Sequence, residues 1–114
     1  MRSDERRRHV RIRPIPELLA RVRRTEGQGT DLELFDVSIG GLGFVTERGF
    51  VDALRDQRVP IRLELGRYGV YDIVAVVKHV GSATTGTEID APTPALTTAL
   101  GRYIAELLER GAPS

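Results

Sequence analysis

The sequence predicts a mainly β fold, a small antiparallel barrel of six strands followed by one C-terminal α-helix. Short stretches of alternating apolar and polar residues recur at nearly regular spacing, and turns rich in glycine separate them. The C-terminal part changes to the spacing of a helix. Several short strands in one small domain favour a barrel, because closure of the sheet removes its unpaired edges. The 114 residues, 40% of them hydrophobic, suffice for one domain.

Each strand is predicted from its own pattern. In the first, Leu18, Ala20 and Val22 lie two residues apart, as on one face of a half-buried strand. The six expected strands cover approximately residues 18–22, 31–37, 42–45, 59–65, 71–80 and 85–90. The strand over 71–80 has apolar residues on both faces, which favours a strand covered on two sides.

The helix is predicted from five apolar residues at helical spacing, Leu96, Leu100, Ile104, Leu107 and Leu108. Thr93 before Pro94 suits an N-cap with proline in the first turn, and Gly111 suits the end of the helix. Such a helix is expected to cover an open end or edge of the barrel. A helix that binds a partner or a second copy of the chain is the alternative.

The net charge of +1 hides an uneven distribution. Residues 1–24 contain nine arginines and three carboxylates, a local charge of +6, whereas the remainder of the chain carries −5. A basic arm on a mildly acidic body can bind an anion, a nucleic acid or the body itself. The expected organisation is a basic ligand-binding arm over residues 1–16, the barrel over 17–91 and the helix over 92–111.

Several classes of protein are not expected. The chain has no cysteine, which excludes disulfides and cysteine metal sites. No apolar run approaches the length of a membrane span, and arginines interrupt residues 15–22, so we expect a cytoplasmic protein without a signal peptide. His9 and His79 lie in no metal-binding or nucleophile spacing, and the acidic residues form no local cluster. We therefore expect neither an enzyme nor a metal protein.

Two short motifs carry the functional prediction. Arg7 and Arg11 form an Arg-x-x-x-Arg pattern on the arm, and Asp36, Ser38 and Gly41 form an Asp-x-Ser-x-x-Gly pattern at the end of a strand. Guanidinium groups match phosphate oxygens and the O6/N7 edge of guanine, while a carboxylate accepts hydrogen bonds from guanine N–H groups. Each motif also has a simpler interpretation, as a solvated arm and as a pair of turn-capping residues.

The order of these features resembles the PilZ domain family, whose members are receptors for the bacterial second messenger cyclic di-GMP. An arginine arm, a strand and a turn precede the Asp-x-Ser-x-x-Gly motif, which leads into residues 42–44. The later strands and the helix fit the same family, so the resemblance covers the chain from Glu5 to about Leu108. One departure is Ile89, three residues after Gly86, where the family usually has an aromatic residue. Isoleucine still fills a core position there.

The resemblance implies a cyclic di-GMP site between the arm and the barrel. Arg7 and Arg11 correspond to the family arginines that wrap the ligand and contact its phosphates and guanine edges. Arg6 precedes them, and an arginine at that position is associated in the family with a stacked pair of ligands. Two cyclic di-GMP molecules per chain are therefore expected, and no metal.

The second motif supplies the barrel side of this site. By the same resemblance, Asp36, Ser38 and Gly41 line the barrel surface beneath a guanine base, with Gly40 adding backbone to the site. Conformational freedom at Gly40, Gly41 and Gly43 is expected to permit the sharp turn into the third strand.

The predicted function is a cyclic di-GMP receptor that passes its signal to a downstream protein, in processes such as motility or biofilm formation. Residues 1–14 are too charged to offset their ordering entropy alone, so ligand binding is expected to order a mobile arm. Two alternatives stay open. One is a nucleotide-independent adaptor in type IV pilus assembly or motility. The other is a small nucleic-acid-binding barrel, which an aromatic content of 5% disfavours.

Overall fold

The computed structural model describes residues 10–27 and 29–113. Within these ranges, seven strands form one antiparallel sheet in the order β2-β1-β5-β6-β7-β4-β3, and one α-helix follows. The strands are β1 (Arg21–Arg24), β2 (Asp31–Leu32), β3 (Leu34–Val37), β4 (Gly41–Val45), β5 (Arg58–Glu64), β6 (Val70–Val80) and β7 (Thr84–Ile89). A 3-10 turn spans Gly66–Tyr68, and the helix α1 spans Pro94–Glu109. The predicted mainly β barrel with a C-terminal helix is confirmed.

The strand count is seven rather than the predicted six because the expected strand over 31–37 is divided at Glu33. β2 pairs with β1, whereas β3 pairs with β4 at the opposite end of the strand order. Glu33 therefore joins the two ends of the sheet, and this connection nearly closes the barrel. Its carbonyl accepts a hydrogen bond from the Val45 amide at 2.9 Å, which extends the pairing of β3 with β4 to the point of closure.

Side chains from every strand and from the helix fill the barrel interior. The predicted alternation along β5 is present, since Val59, Ile61 and Leu63 are buried. Phe44 and Phe50 are fully buried and stack with their ring centroids 4.8 Å apart. The core also extends into the region predicted to be the arm, as described below.

Two strand predictions need correction. β1 starts later than predicted because the Leu18 amide donates to the Ile15 carbonyl at 2.9 Å and turns the chain at that point. Only one face of β6 is fully covered, although its apolar composition suggested two. Ala75 and Val77 are buried in the core, whereas Val74 and Val76 on the other face are half-buried.

The helix begins as predicted, since Thr93 Oγ1 accepts a hydrogen bond from the Leu96 amide at 3.2 Å. Gly111 follows its end with a φ of 77°, a conformation that favours glycine. Of the predicted apolar stripe, only Leu108 does not pack inward, with 50% of its surface exposed. The hydroxyl of the buried Tyr103 donates to the Leu18 carbonyl at 2.7 Å, so α1 is also held by the segment before β1.

Candidate functional site

The predicted site around Asp36 lies where β3 ends and the chain turns into β4. Val37 is fully buried in the core, and strand alternation therefore directs Asp36 to the outer surface of the barrel. The Asp36 side chain is 17% exposed, so its carboxylate is partly desolvated but reachable from outside. A ligand that approaches this face meets a hydrogen-bond acceptor with a full negative charge.

Ser38 forms the turn that follows Asp36. Its amide donates to the Gly41 carbonyl at 3.0 Å, and its hydroxyl donates to the same oxygen at 3.3 Å. Ser38 is only 3% exposed. Its polar groups therefore stabilise the turn, as the simpler interpretation of the motif predicted for Ser38, whereas Asp36 contacts Arg11 instead.

Gly41 and Gly43 are needed for close approach rather than for unusual backbone angles. None of Gly40, Gly41 and Gly43 has a positive φ, so the predicted reason, conformational freedom, is wrong. A Cβ on Gly41 would clash with the backbone carbonyl oxygen of Thr87 in β7. The Gly40 carbonyl accepts from the Ile89 amide at 3.0 Å. The absence of a side chain at Gly41 thus lets the turn pack directly against β7, to which Gly40 adds one backbone hydrogen bond.

The last part of the predicted arm is attached to the barrel. Ile12 is fully buried and exchanges two backbone hydrogen bonds with Val37, at 3.0 and 2.9 Å. The Arg13 amide donates to the Pro113 carbonyl at 2.8 Å. Ile12 was not predicted to be a core residue, because arginines flank it on both sides. The barrel therefore begins to hold the chain at Ile12 and Arg13, before the end of the arm expected at Pro14.

The attachment of Ile12 brings the two motifs together. Arg11 Nη1 lies 3.3 Å from Asp36 Oδ1, and the Arg11 side chain is 55% exposed. One arginine of the first motif and the carboxylate of the second thus form an ion pair on the barrel surface. The other two predicted arginines, Arg6 and Arg7, lie outside the described residues.

Arg13 and Phe35 are neighbours of this pair that the sequence analysis missed. The Arg13 guanidinium lies over the Phe35 ring, 4.4 Å from its centroid. Phe35 falls at the irregularity in the pairing of β3 with β4. Both residues line an open cleft of about 570 Å³ next to the site. The alternation of Arg11, Ile12 and Arg13 was the available signal, because residues two apart in an extended segment share a face.

A second cluster of charges joins α1 to the 3-10 turn. The buried carboxylate of Glu106 accepts hydrogen bonds from the Tyr68 hydroxyl and from the guanidinium groups of Arg67 and Arg110. The bond from Tyr68, followed by that from Arg110, holds the pKa of Glu106 below its ordinary value. Nearby, burial raises the pKa of Tyr103 to about 12. We interpret this cluster as an anchor for the helix, because both oxygens of the Glu106 carboxylate already accept hydrogen bonds within it.

Among residues 10–27 and 29–113, no three histidine or carboxylate side chains converge in a way that could hold a metal ion. In the same part of the chain, no helix is long and apolar enough to cross a membrane.

The sequence profile of the PilZ domain matches residues 5–106, which is most of the chain. The chain therefore belongs to the PilZ domain family. The matched range spans the positions of both motifs. A search of curated proteins found no match.

Solved structures share the fold. The K. pneumonia MrkH–c-di-GMP complex has a TM-score of 0.74 and 19% identity, over 91% of this chain and 53% of MrkH. YcgR in complex with c-di-GMP from Escherichia coli has a TM-score of 0.73 and 20% identity, over 93% of this chain and 47% of YcgR. The Bacillus subtilis inhibitor of motility, MotI/DgrA, has a TM-score of 0.65 and 20% identity, over 92% of this chain and 52% of MotI/DgrA. The chain spans about half the length of these proteins, and identities at this level support the fold alone.

Proposed function

We propose that this chain is a receptor for cyclic di-GMP, which binds between the arm and the outer face of β3. The observation that carries the proposal is the contact between Arg11 and Asp36. These residues belong to separate motifs and lie 25 positions apart in sequence, yet their side chains meet at 3.3 Å. The similar structures of MrkH and YcgR are complexes with c-di-GMP, which supports the same ligand here.

In this proposal the arginines bind the anionic and purine edges of the ligand. Arg7 and Arg11 donate to phosphate oxygens and to guanine O6/N7, and Asp36 accepts from guanine N–H groups. The Arg11 side chain is half-exposed, and its 3.3 Å contact with Asp36 is longer than a strong charge-assisted hydrogen bond, so the pair can open to a ligand. A hydrogen bond to a charged group contributes roughly 1.5–3 kcal/mol, so ligand contacts can displace the pair.

The remaining motif residues act through the shape of the turn. Ser38 is buried and bonded to the Gly41 carbonyl, and Gly41 admits the backbone of β7. Together with Gly40, they keep the end of β3 close to β7 and fix the direction of the Asp36 side chain. Substitution of Ser38 should therefore weaken ligand binding by loosening the turn.

The signal passes to a downstream protein when the ligand orders the arm. Because Ile12 is already buried, the segment that changes is limited to the residues before it, with Arg6, Arg7 and Arg11 as its ligand contacts. Bound ligand bridges these arginines to Asp36 and supplies negative charge to this basic segment. The ordered segment then forms part of the surface that the partner reads.

Calorimetric titration of the full chain tests the proposal. Cyclic di-GMP should bind saturably, and GMP and a short single-stranded oligonucleotide should bind much more weakly. An absence of binding by all three would favour a nucleotide-independent adaptor. Preferential binding of the oligonucleotide would instead favour a nucleic-acid-binding barrel. Either result would overturn the proposed function.

A further inference from the structure

Gly43 lies directly opposite Asp36 in the pairing of β3 with β4. The Asp36 carboxyl group occupies the space that a side chain on Gly43 would need. An ideal Cβ on Gly43 would lie closer than 3.0 Å to Asp36 Oδ1 and 3.1 Å from its Cγ, and the nearest atoms within 4 Å all belong to this carboxyl group. Cβ atoms do not approach an oxygen that closely in proteins, so the carboxylate in this position and a side chain at 43 exclude each other.

The oxygen that lies over Gly43 is the same oxygen that contacts the arm. Asp36 Oδ1 is the atom that accepts from Arg11 Nη1 at 3.3 Å. The Asp36 carboxylate therefore lies over Gly43 of β4 and contacts Arg11 through the same oxygen. A methyl group at 43 would push Oδ1 away from the strand to an ordinary van der Waals distance and would so disturb its contact with Arg11.

We propose that Gly43 is a positioning residue that sets the place of the Asp36 carboxylate and, through it, the preference of the site for guanine. This inference rests on the proposed function, because Asp36 selects guanine only if the ligand is a guanine nucleotide. Gly43 lies outside the two motifs that the sequence analysis singled out. Its effect follows from the absence of a side chain and requires no contact between Gly43 and the ligand.

The obstacle at Gly43 is the end of a side chain, so an alanine there should leave the fold intact. The neighbouring glycines differ in this respect. At Gly41 the obstacle is the Thr87 backbone carbonyl, which cannot move without disturbing β7. At Gly86, which pairs with Gly43 from the other side, a Cβ would meet nothing within 4 Å. Gly86→Ala is thus a matched control for adding a methyl group to this part of the sheet.

The first test uses the ligand-free protein. Crystal structures of Gly43→Ala and Gly86→Ala are compared with the wild type, and thermal melting confirms that each variant folds. In Gly43→Ala we expect a displaced carboxylate and no contact between Arg11 and Asp36. In Gly86→Ala the contact should persist. A Gly43→Ala structure that retains the carboxylate in its wild-type place overturns the inference.

The second test is a double-mutant cycle with cyclic di-GMP and cyclic di-AMP. Asp36→Ala and Gly43→Ala should each weaken cyclic di-GMP binding about tenfold, the loss of one charge-assisted contact, and should narrow the preference over cyclic di-AMP. The double variant should bind no more weakly than Asp36→Ala, since Gly43 acts only through that carboxylate. If the losses of affinity in the two single variants multiply in the double variant, or if Gly43→Ala binds as tightly as the wild type, the positioning role is excluded.

The two tests separate this inference from the proposed function. If the wild-type protein does not bind cyclic di-GMP, the proposed function fails, and with it the assignment of guanine preference to Gly43. The crystal structures then still decide whether Gly43 sets the place of the carboxylate. If the wild type binds but the cycle shows independent losses, only the role of Gly43 is wrong.

Discussion

Arg11 and Asp36 contact each other in the structure, with Nη1 and Oδ1 3.3 Å apart, although both are predicted to contact one ligand. The site thus contains its own counter-charges before any nucleotide arrives. Bound ligand must either replace this ion pair or insert between its members. Because the pair lies at the surface, this exchange requires no movement of the buried core.

Removal of either motif arginine should weaken cyclic di-GMP binding about tenfold or more, because each donates charge-assisted hydrogen bonds worth roughly 1.5–3 kcal/mol. Titration calorimetry of Arg7→Ala and Arg11→Ala measures the effect. Arg23→Ala serves as a control, since Arg23 is an exposed arginine of β1 and belongs to neither motif. Wild-type affinity in either motif variant would show that the ligand binds elsewhere.

Asp36 should give the site a preference for guanine over adenine. The carboxylate accepts from guanine N–H groups, which adenine does not offer in the same pattern, and an unpaired carboxylate at a partly desolvated surface is unfavourable. Cyclic di-AMP should therefore bind much more weakly than cyclic di-GMP to the wild type. The difference should shrink in Asp36→Ala. Equal wild-type affinities for the two dinucleotides would contradict this role.

Two cyclic di-GMP molecules should bind per chain, stacked on each other, with Arg6 placing a cation near the second. Arg6→Leu should lower the stoichiometry towards one without abolishing binding. Calorimetry on protein of known active concentration gives the ratio directly. Saturation of the wild type at one ligand per chain would rule out the stacked pair, and an unchanged ratio in Arg6→Leu would assign the contact to another residue such as Arg8.

The fold was largely predictable because strand alternation and helical spacing are local patterns. Leu63 and Ile61 in β5 and Leu100 in α1 are buried as their spacing indicated. The division at Glu33 was not predictable, since the residues on both sides of it continue one pattern. Only the pairing of β2 and β3 with different strands reveals that the chain crosses there from one end of the sheet to the other.

The site was predictable as a set of motifs but not as a geometry. The contact of Arg11 with Asp36 depends on the burial of Ile12, a single apolar residue in a basic segment. Likewise, the role proposed for Gly43 depends on Asp36, the residue opposite it in the neighbouring strand. Such cross-strand relationships require the register of the sheet, which one sequence without its structure does not supply.

The hydrogen bond from Tyr68 to Glu106 should make acid stability depend on Tyr68. Its loss in Tyr68→Phe removes the main cause of the lowered Glu106 pKa, so that pKa should rise towards its ordinary value. A carboxylate with a lowered pKa in the folded state stabilises the fold above its unfolded pKa, and this contribution is lost as pH falls through the folded pKa. Acid unfolding of Tyr68→Phe should therefore begin at higher pH than in the wild type.

NMR titration of the carboxyl resonances, combined with acid unfolding followed by circular dichroism, measures both effects. Asp72 provides an internal control, because its pKa is lowered by the hydrogen bond from Arg62, on a different part of the barrel. The Asp72 pKa should stay the same in Tyr68→Phe. A Glu106 pKa that does not rise would mean that Arg110 and Arg67 alone hold the carboxylate in its charged form.

Ligand binding should change the order of the arm only in the residues that precede Ile12 in the sequence. In the ligand-free protein the Ile12 and Arg13 amides are bonded to the Val37 and Pro113 carbonyls, so both should already exchange slowly with solvent. Binding of cyclic di-GMP should add protection over residues 6–11, which have high charge and little apolar surface to bury on their own.

Amide hydrogen exchange with and without cyclic di-GMP tests this directly. Protection should also rise over residues 36–42, where the ligand meets the barrel, whereas α1 should change little because Tyr103 and Glu106 already fasten it. Arg11→Ala should abolish the increase over 6–11 while leaving Ile12 protected. If residues 6–11 are already protected in the ligand-free protein, the arm is ordered before binding, and the signal must reach the partner through another surface.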